Sequence, residues 1–283
     1  MKQISIIIIL FLLSVSIFIF SFKQKSDKNS NSQPNNSGVI NSPTGITATP
    51  TTFQSYNIPN LSNKASYTII LLGDSIIKSL GSNSDSLRSQ LAVRYPDKTF
   101  GIFNYGKSST NITDLPNSLN ETSIIDNLEF PPILQRQYDF LIIESFGYNP
   151  LSDFPENQRS VVQSEILFQA VTDSLQHQPK AIIAFMTPIA PDRENFAKGS
   201  RDLTPQVREQ WVDERISFIE NHRLFAQKYG FPIINVFEET LRTANDGQSR
   251  YISEDNIHPS QAGVDLMAQM IADMIAKYIP ETN

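Results

Sequence analysis

Apolar residues recur along most of the chain in short uninterrupted runs, which are separated by longer segments with helical spacing. Five of these runs have strand length and are rich in Ile, Val, Leu and Phe: residues 68–72, 98–105, 138–145, 180–186 and 231–237. Near-continuous apolar runs are typical of strands that are covered on both faces of a sheet. The pattern therefore predicts five buried strands.

The segments between the runs predict the helices. Apolar positions at helical spacing indicate helices at residues 76–94, 117–128, 159–176, 207–228 and 260–275. Because strand and helix alternate, we expect an α/β fold of three layers, α/β/α, with a five-stranded parallel sheet and right-handed crossovers. This flavodoxin-like arrangement is predicted to form one domain over residues 66–283.

The first 65 residues have a different pattern. Residues 4–22 carry no charge, and at about 1.5 Å per residue a helix of this length approaches the roughly 30 Å hydrocarbon thickness of a bilayer. We interpret residues 1–25 as an N-terminal transmembrane anchor, with a cleaved signal peptide as the alternative. Residues 26–65 begin with a long stretch of Ser, Asn, Thr and Pro and are predicted to be a disordered linker.

The orientation of the anchor rests on two opposing observations. Lys23, Lys25 and Lys28 follow the apolar segment, and the positive-inside rule taken alone would place the remainder in the cytoplasm. A flexible tether makes most sense outside the cell, so we expect the domain to be extracytoplasmic, or secreted if the segment is cleaved.

Composition excludes several kinds of partner and site. The net charge of −6 and the pI of about 5.1 show no excess of basic residues. No nucleic-acid partner is therefore expected. The chain has no cysteine, which excludes disulfides, thiolate metal sites and a cysteine nucleophile. No cofactor and no metal is expected.

Four candidate groups follow predicted strands. Ser75 comes after the first strand, Gly106 after the second, Asn149 after the third, and residues 255–258 after the fifth. Each also has a structural interpretation, since Gly-Asp-Ser is ordinary N-cap chemistry and both Gly106 and Asn149 suit turns. Because ligands bind outside the carboxyl ends of strands in open parallel sheets, we expect the four groups to converge.

The spacing of Asp255 and His258 favours a catalytic interpretation. The two residues lie three positions apart in a tight segment that enters a helix, so the carboxylate can hold one imidazole nitrogen while the other faces a serine. Ser75 is then the nucleophile, His258 the general base and Asp255 its orienting partner. The other histidines are interpreted as structural, His177 at a helix end and His222 as a solvated helical residue.

These motifs resemble those of the SGNH hydrolases, also called GDSL-type esterases. The Gly-Asp-Ser at 73–75 matches the first block of that family with Ile76 in place of the usual leucine, and the Asp-Asn-Ile-His-Pro at 255–259 matches the last block. The resemblance covers residue 68 to the final helix. It implies the SGNH hydrolase fold, ester hydrolysis by the serine, histidine and aspartate, and an oxyanion hole made by the N–H groups of Ser75 and Gly106 and the Asn149 amide.

One block departs from the family pattern. The third block usually reads Gly-x-Asn-Asp, whereas residues 147–150 read Gly-Tyr-Asn-Pro, which keeps the amide donor but replaces the aspartate by Pro150. Asp74 is expected to have a structural role, with hydrogen bonds to groups around the nucleophile turn. The residues near the predicted acyl pocket are Phe146, Tyr148, Met186 and Ile257.

The sequence therefore predicts a membrane-anchored serine esterase that acts on small-molecule or carbohydrate acyl esters. Two alternatives keep the same fold. An O-acyltransferase would replace water by a sugar hydroxyl, and a non-catalytic carbohydrate-binding module would keep the edge of the sheet without turnover.

Overall fold

The computed structural model describes residues 55–242 and 248–280. Seven strands lie in these ranges: β1 Ser66–Gly73, β2 Thr99–Gly106, β3 Ser123–Ile125, β4 Leu128–Phe130, β5 Phe140–Glu144, β6 Ile182–Thr187 and β7 Ile233–Asn235. Five of them form one sheet in the order β2-β1-β5-β6-β7, and every neighbouring pair in it is parallel. The predicted five-stranded parallel sheet is confirmed.

Helices cover both faces of this sheet. They are α1 Ser75–Lys78, α2 Asp85–Arg94, α3 Leu115–Asn120, α4 Glu156–His177, α5 Pro205–Tyr229, α6 Val236–Arg242 and α7 Gln261–Ala276. Alternate residues of β1 enter different cores, because Ile69 and Leu71 pack with residues of α2 and α7, while Ile70 and Leu72 pack with residues of α3 and α4. This alternation produces the predicted three-layer α/β/α arrangement.

Two predicted helices have different bounds in the structure. Residues 76–94 form α1 and α2 rather than one helix, and Gly81 in the break has a φ of +80° that suits glycine. Residues 117–128 hold the end of α3 and most of an antiparallel hairpin of β3 and β4. Asp126 and Asn127 at its tip both have positive φ, which two-residue hairpin turns require and which these residue types tolerate.

The last strand is also shorter than predicted. β7 ends at Asn235 and α6 follows directly, where the sequence predicted strand to residue 237. The Asn235 side chain accepts from the Glu238 N–H at 3.2 Å. An asparagine that satisfies a free N–H of the first turn favours the start of a helix.

Ordered packing begins before the predicted domain boundary. Tyr56 is buried, stacks on Phe231 with the ring centroids 4.4 Å apart, donates from Oη to the Ala181 carbonyl at 3.1 Å and accepts from the Ile183 N–H at 3.0 Å. The predicted disordered linker over residues 26–65 is therefore wrong at its C-terminal end.

The predicted anchor over residues 1–25 lies outside the described residues. Within residues 55–242 and 248–280, none of the helices is long and apolar enough to cross a membrane.

His222 is fully buried, so its interpretation as a solvated residue is wrong. It lies about one helical turn from Ile219 and from Phe225, on the buried face of α5. Its Nε2–H donates to the Ile143 carbonyl at 3.1 Å. Burial lowers the pKa of His222 to about 3, and the hydrogen bond to Ile143 only partly opposes this effect. The ring is therefore neutral in the folded protein at neutral pH.

We predict that His222 makes the folded state less stable in acid. The unfolded chain binds a proton at His222 below its ordinary pKa of about 6.5, but the folded chain resists protonation down to about pH 3. The free energy of unfolding therefore falls as the pH drops between these values, by at most about 1.4 kcal/mol per pH unit. In His222→Gln, whose amide can still donate to Ile143, urea unfolding should show a flatter pH dependence.

The matched control is His177→Gln, which changes an exposed histidine at the end of α4. It should leave the wild-type dependence unchanged between about pH 7 and pH 4.5. Equal slopes for His222→Gln and the wild type would contradict the prediction.

Candidate active site

The nucleophile turn joins β1 to α1. Asp74 is the N-cap residue of α1, and its Oδ1 accepts from the Ile76 N–H at 2.8 Å. A Cβ on Gly73 would lie 2.5 Å from Ile77 Cγ1, so only glycine lets the helix turn back this closely over the strand. Ser75 is consequently held at the first position of α1, half-buried at the carboxyl end of the sheet.

The loop before α7 fixes the second part of the site. Asp255 Oδ1 accepts from the N–H groups of Ile257 and His258, each at 2.9 Å, and from Ser253 Oγ at 2.6 Å. Three donors on one carboxylate oxygen define the orientation of Asp255. The other oxygen, Oδ2, is left to contact His258 Nδ1 at 2.6 Å.

The structure brings Ser75, His258 and Asp255 together from opposite ends of the domain. Ser75 Oγ lies 3.0 Å from His258 Nε2, and the same imidazole bonds through Nδ1 to Asp255. Since an ionised carboxylate only accepts hydrogen bonds, Nδ1 carries the proton and Nε2 is free to accept one from the serine hydroxyl. This is the arrangement that activates a serine nucleophile.

The pKa of Asp255 reflects competing effects. Partial burial raises it, but the hydrogen bonds from Ser253 Oγ, from the His258 side chain and from two backbone N–H groups outweigh burial and hold the pKa well below its usual range. Asp255 is therefore a carboxylate throughout the range in which a histidine titrates.

Asn149 also lies at the site. Its Nδ2 donates to Asp74 Oδ2 at 2.8 Å, and its backbone N–H donates to the carbonyl of Phe146, which has a φ of +54°. An amide nitrogen has two protons, so one N–H of Asn149 remains after the bond to Asp74. Replacement of the usual aspartate by Pro150 does not remove Asn149 from the site.

The structure does not bring the Gly106 N–H to the site. This N–H donates to Asn104 Oδ1 at 2.8 Å, so it is already used. A Cβ on Gly106 would lie 2.8 Å from the Ile77 carbonyl carbon and closer still to Lys78 N. The glycine therefore allows β2 to pack against the backbone of α1, and the prediction of an oxyanion donor at this residue is wrong on geometric grounds.

Ser109 is a candidate that the sequence analysis missed. It lies beside Ser75, Asn149 and His258 in one cavity, its φ is +62°, and its backbone N–H makes no hydrogen bond within the described part of the chain. A left-handed conformation is expected of glycine and not of serine, so residue type pointed to Gly106 instead.

The cavity that holds these groups has a volume of about 230 Å³. Of the predicted acyl-pocket residues, Tyr148 and Ile257 line it, whereas Phe146 and Met186 are buried elsewhere in the core. A larger depression of about 570 Å³ lies between α4 and α5 but contains neither the serine nor its base. Chemistry rather than size therefore identifies the candidate active site.

Among the residues that the structure describes, no three His, Asp or Glu side chains are placed to hold a metal ion.

Comparison with family models gave no match, and neither did comparison with curated proteins. Solved structures gave clear matches. A lipase/acylhydrolase from Enterococcus faecalis matches with a TM-score of 0.55 at 17% identity, over 77% of this chain and 100% of that chain. A protein described as a GDSL-like lipase from Parabacteroides merdae matches with a TM-score of 0.58 at 18% identity, over 77% and 99%.

This chain has the SGNH hydrolase fold. An acetylxylan esterase from Geobacillus stearothermophilus matches as well, with a TM-score of 0.53 at 16% identity, over 77% of this chain and 97% of that chain. The expectation from the sequence motifs is confirmed at the level of the SGNH fold.

We predict that Gly106 is required for packing. In Gly106→Ala the new methyl group would overlap the backbone of α1, and overpacking of this kind costs about 1–3 kcal/mol. The control is Gly101→Ala in the same strand, where a Cβ would meet its nearest neighbours at 3.7 Å. Urea unfolding should place the free energy of Gly106→Ala clearly below that of Gly101→Ala, and equal values would contradict the role.

Proposed function

We propose that this chain is a serine esterase of the SGNH hydrolase family. The observation that carries the proposal is the continuous contact from Ser75 Oγ through His258 to Asp255, with distances of 3.0 Å and 2.6 Å. The fold shared with a lipase/acylhydrolase and an acetylxylan esterase supports the same reaction class.

The proposed reaction begins with attack of Ser75 Oγ on the ester carbonyl carbon. His258 Nε2 takes the hydroxyl proton as the C–O bond forms, and Asp255 stabilises the resulting imidazolium. Collapse of the tetrahedral intermediate breaks the ester bond, and the departing alcohol takes the proton from His258. Water then attacks the acyl-serine, again with His258 as base, and releases the acid and the free serine.

Three donors are proposed to hold the oxyanion of the intermediate. They are the N–H of Ser75, the N–H of Ser109 and the N–H of Asn149 that is not bonded to Asp74. Each donor of this kind lowers the barrier by on the order of 3 kcal/mol. Asp74 is a positioning residue, since its two oxygens hold α1 and the Asn149 amide.

We propose a short acyl group on a small-molecule or carbohydrate ester. A cavity of about 230 Å³ suits an acetyl or similarly small group better than a long chain. The acetylxylan esterase among the structural matches supports a carbohydrate ester. The mechanism requires neither a metal nor a cofactor.

We predict that Ser75→Ala abolishes hydrolysis of 4-nitrophenyl acetate by the full-length chain, with a loss of at least about 10³-fold in kcat because the nucleophile is gone. Ser86→Ala is the matched control, since its hydroxyl bonds to Asp265 on the surface, away from the cavity. Equal rates for Ser75→Ala and Ser86→Ala, or an inactive wild type, would overturn the proposed function.

We also propose that residues 1–25 anchor the enzyme in a membrane, with the catalytic domain on the extracytoplasmic side. The support is the uncharged apolar segment followed by a polar tether. Cells that express the full chain should retain it in the membrane fraction, and protease added to intact cells or spheroplasts should digest the domain. Recovery of the chain in the soluble fraction with an intact N-terminus would contradict the anchor.

A further inference from the structure

A buried cation forms one wall of the cavity that holds Ser75 and His258. The guanidinium of Arg215, on α5, lies over the rings of Phe196 and Trp211, with Cζ 4.9 Å from each ring centroid. Its Nη1 donates to the Trp211 carbonyl at 2.9 Å, and only 10% of the side chain is exposed. These contacts hold the charge in the wall of the cavity that contains the nucleophile.

The charge of Arg215 is incompletely balanced. Among the described residues, the carboxylate within ion-pair distance of Arg215 is Glu214, whose Oε2 lies 3.9 Å from Nη1. The other oxygen of Glu214 already binds Arg159 and Ser152. One carboxylate is therefore shared between two guanidinium groups. In addition, Nε of Arg215 is buried without a hydrogen-bond partner, an arrangement that costs stability.

A second cation lines the same cavity. Arg201 is exposed, and its side chain donates from Nη1 to the Ser200 carbonyl at 3.3 Å. Among the described residues, no carboxylate lies within ion-pair distance of it. Asp255, the carboxylate of the triad, does not pair with Arg201 either. Its oxygens already accept hydrogen bonds from His258 Nδ1 and from three other donors.

Asp74 is a buried carboxylate near Arg215, and it also has other partners. Both oxygens of Asp74 accept hydrogen bonds, one from the Ile76 N–H and one from Asn149. The residues that line the cavity include two arginines and no carboxylate, in a chain whose net charge is −6.

We propose that this cavity recognises the carboxylate of an acidic ester, with Arg215 and Arg201 as the residues that determine this specificity. The proposal rests on the proposed function and names its substrate class, an acyl ester that carries a carboxylate within a few bonds of the scissile bond. Guanidinium groups bind carboxylates through paired N–H donors. A monoanion matches the site better than a dianion because part of the Arg215 charge is already neutralised by Glu214.

The first experiment measures binding without catalysis. Trp211 is the one tryptophan of the chain, and its ring contacts Arg215, so its fluorescence reports on the occupied cavity. The full chain is titrated with glutaramate, a monoanion, and with glutaramide, its neutral isostere. We expect a saturable change with glutaramate, at least about tenfold weaker binding of glutaramide, and weaker glutaramate binding in Arg201→Gln.

The second experiment measures turnover of two matched ester pairs. Mono-4-nitrophenyl glutarate and its terminal amide place the acid on the acyl side, whereas 4-acetoxybenzoate and 4-acetoxybenzamide place it on the alcohol side. We expect the anionic member of at least one pair to have the higher kcat/KM. The anionic-to-neutral ratio should fall on the order of tenfold in Arg215→Gln and about threefold in Arg201→Gln, which is more exposed and better screened by salt.

Arg193→Gln is the matched control, because Arg193 lies outside the cavity and pairs with Asp213 on the surface. Its ratio should equal that of the wild type. If Arg215→Gln does not fold, Arg201→Gln carries the test, since its side chain is exposed.

The outcomes separate the two proposals. Glutaramate binding that depends on Arg201 in a chain that hydrolyses no ester supports the carboxylate site and overturns only the esterase. The opposite result is cleavage of neutral esters through Ser75, with no preference for the anionic ester in either pair and no binding of glutaramate. This result would overturn the carboxylate site and leave the esterase proposal standing. A preference that is unchanged in Arg201→Gln and Arg215→Gln overturns the assignment to these residues.

Discussion

The carboxylate of Asp74 ties together the ends of two neighbouring strands, and the rest of the site depends on this link. Its Oδ1 holds the first turn of α1, and so the position of Ser75, while its Oδ2 holds the amide of Asn149 in the loop that follows β5. Burial raises the pKa of Asp74 to about 6, because the hydrogen bonds from Ile76 and Asn149 and the positive charges nearby offset desolvation only in part. A buried carboxylate needs these donors, so the same requirement aligns the nucleophile and the amide.

Glu144 lies close to this link at the end of β5. Its pKa is raised well above the usual value, by burial first and by the nearby Asp74. Its two oxygens contact Ser145 Oγ at 2.7 Å and the Phe146 N–H at 2.8 Å. These contacts hold the chain as it leaves the strand, where Phe146 adopts its positive φ.

The sequence predicted what depends on residue type and missed what depends on backbone geometry. Strands buried on both faces have near-continuous apolar sequences, so the five strands of the sheet were predicted. Asp255 and His258 act through their side chains, so the pair could also be predicted from residue type. A backbone N–H has no signature in residue identity. Gly106 suggested a donor, but its N–H is bonded to Asn104, whereas the free N–H belongs to Ser109 in a conformation rare for serine.

His222 was predicted wrongly for a different reason. Its polar side chain suggested solvent, yet its position relative to Phe218, Ile219 and Phe225 places it on the buried face of α5. Periodicity therefore carries more information here than residue type, because one neutral imidazole can be buried at the cost of a lowered pKa. The same reasoning gives weight to Arg215, since a guanidinium cannot lose its charge in this way. A cation kept next to the nucleophile with a shared carboxylate is more informative about the substrate than a buried histidine, and it directs attention to an anionic ligand.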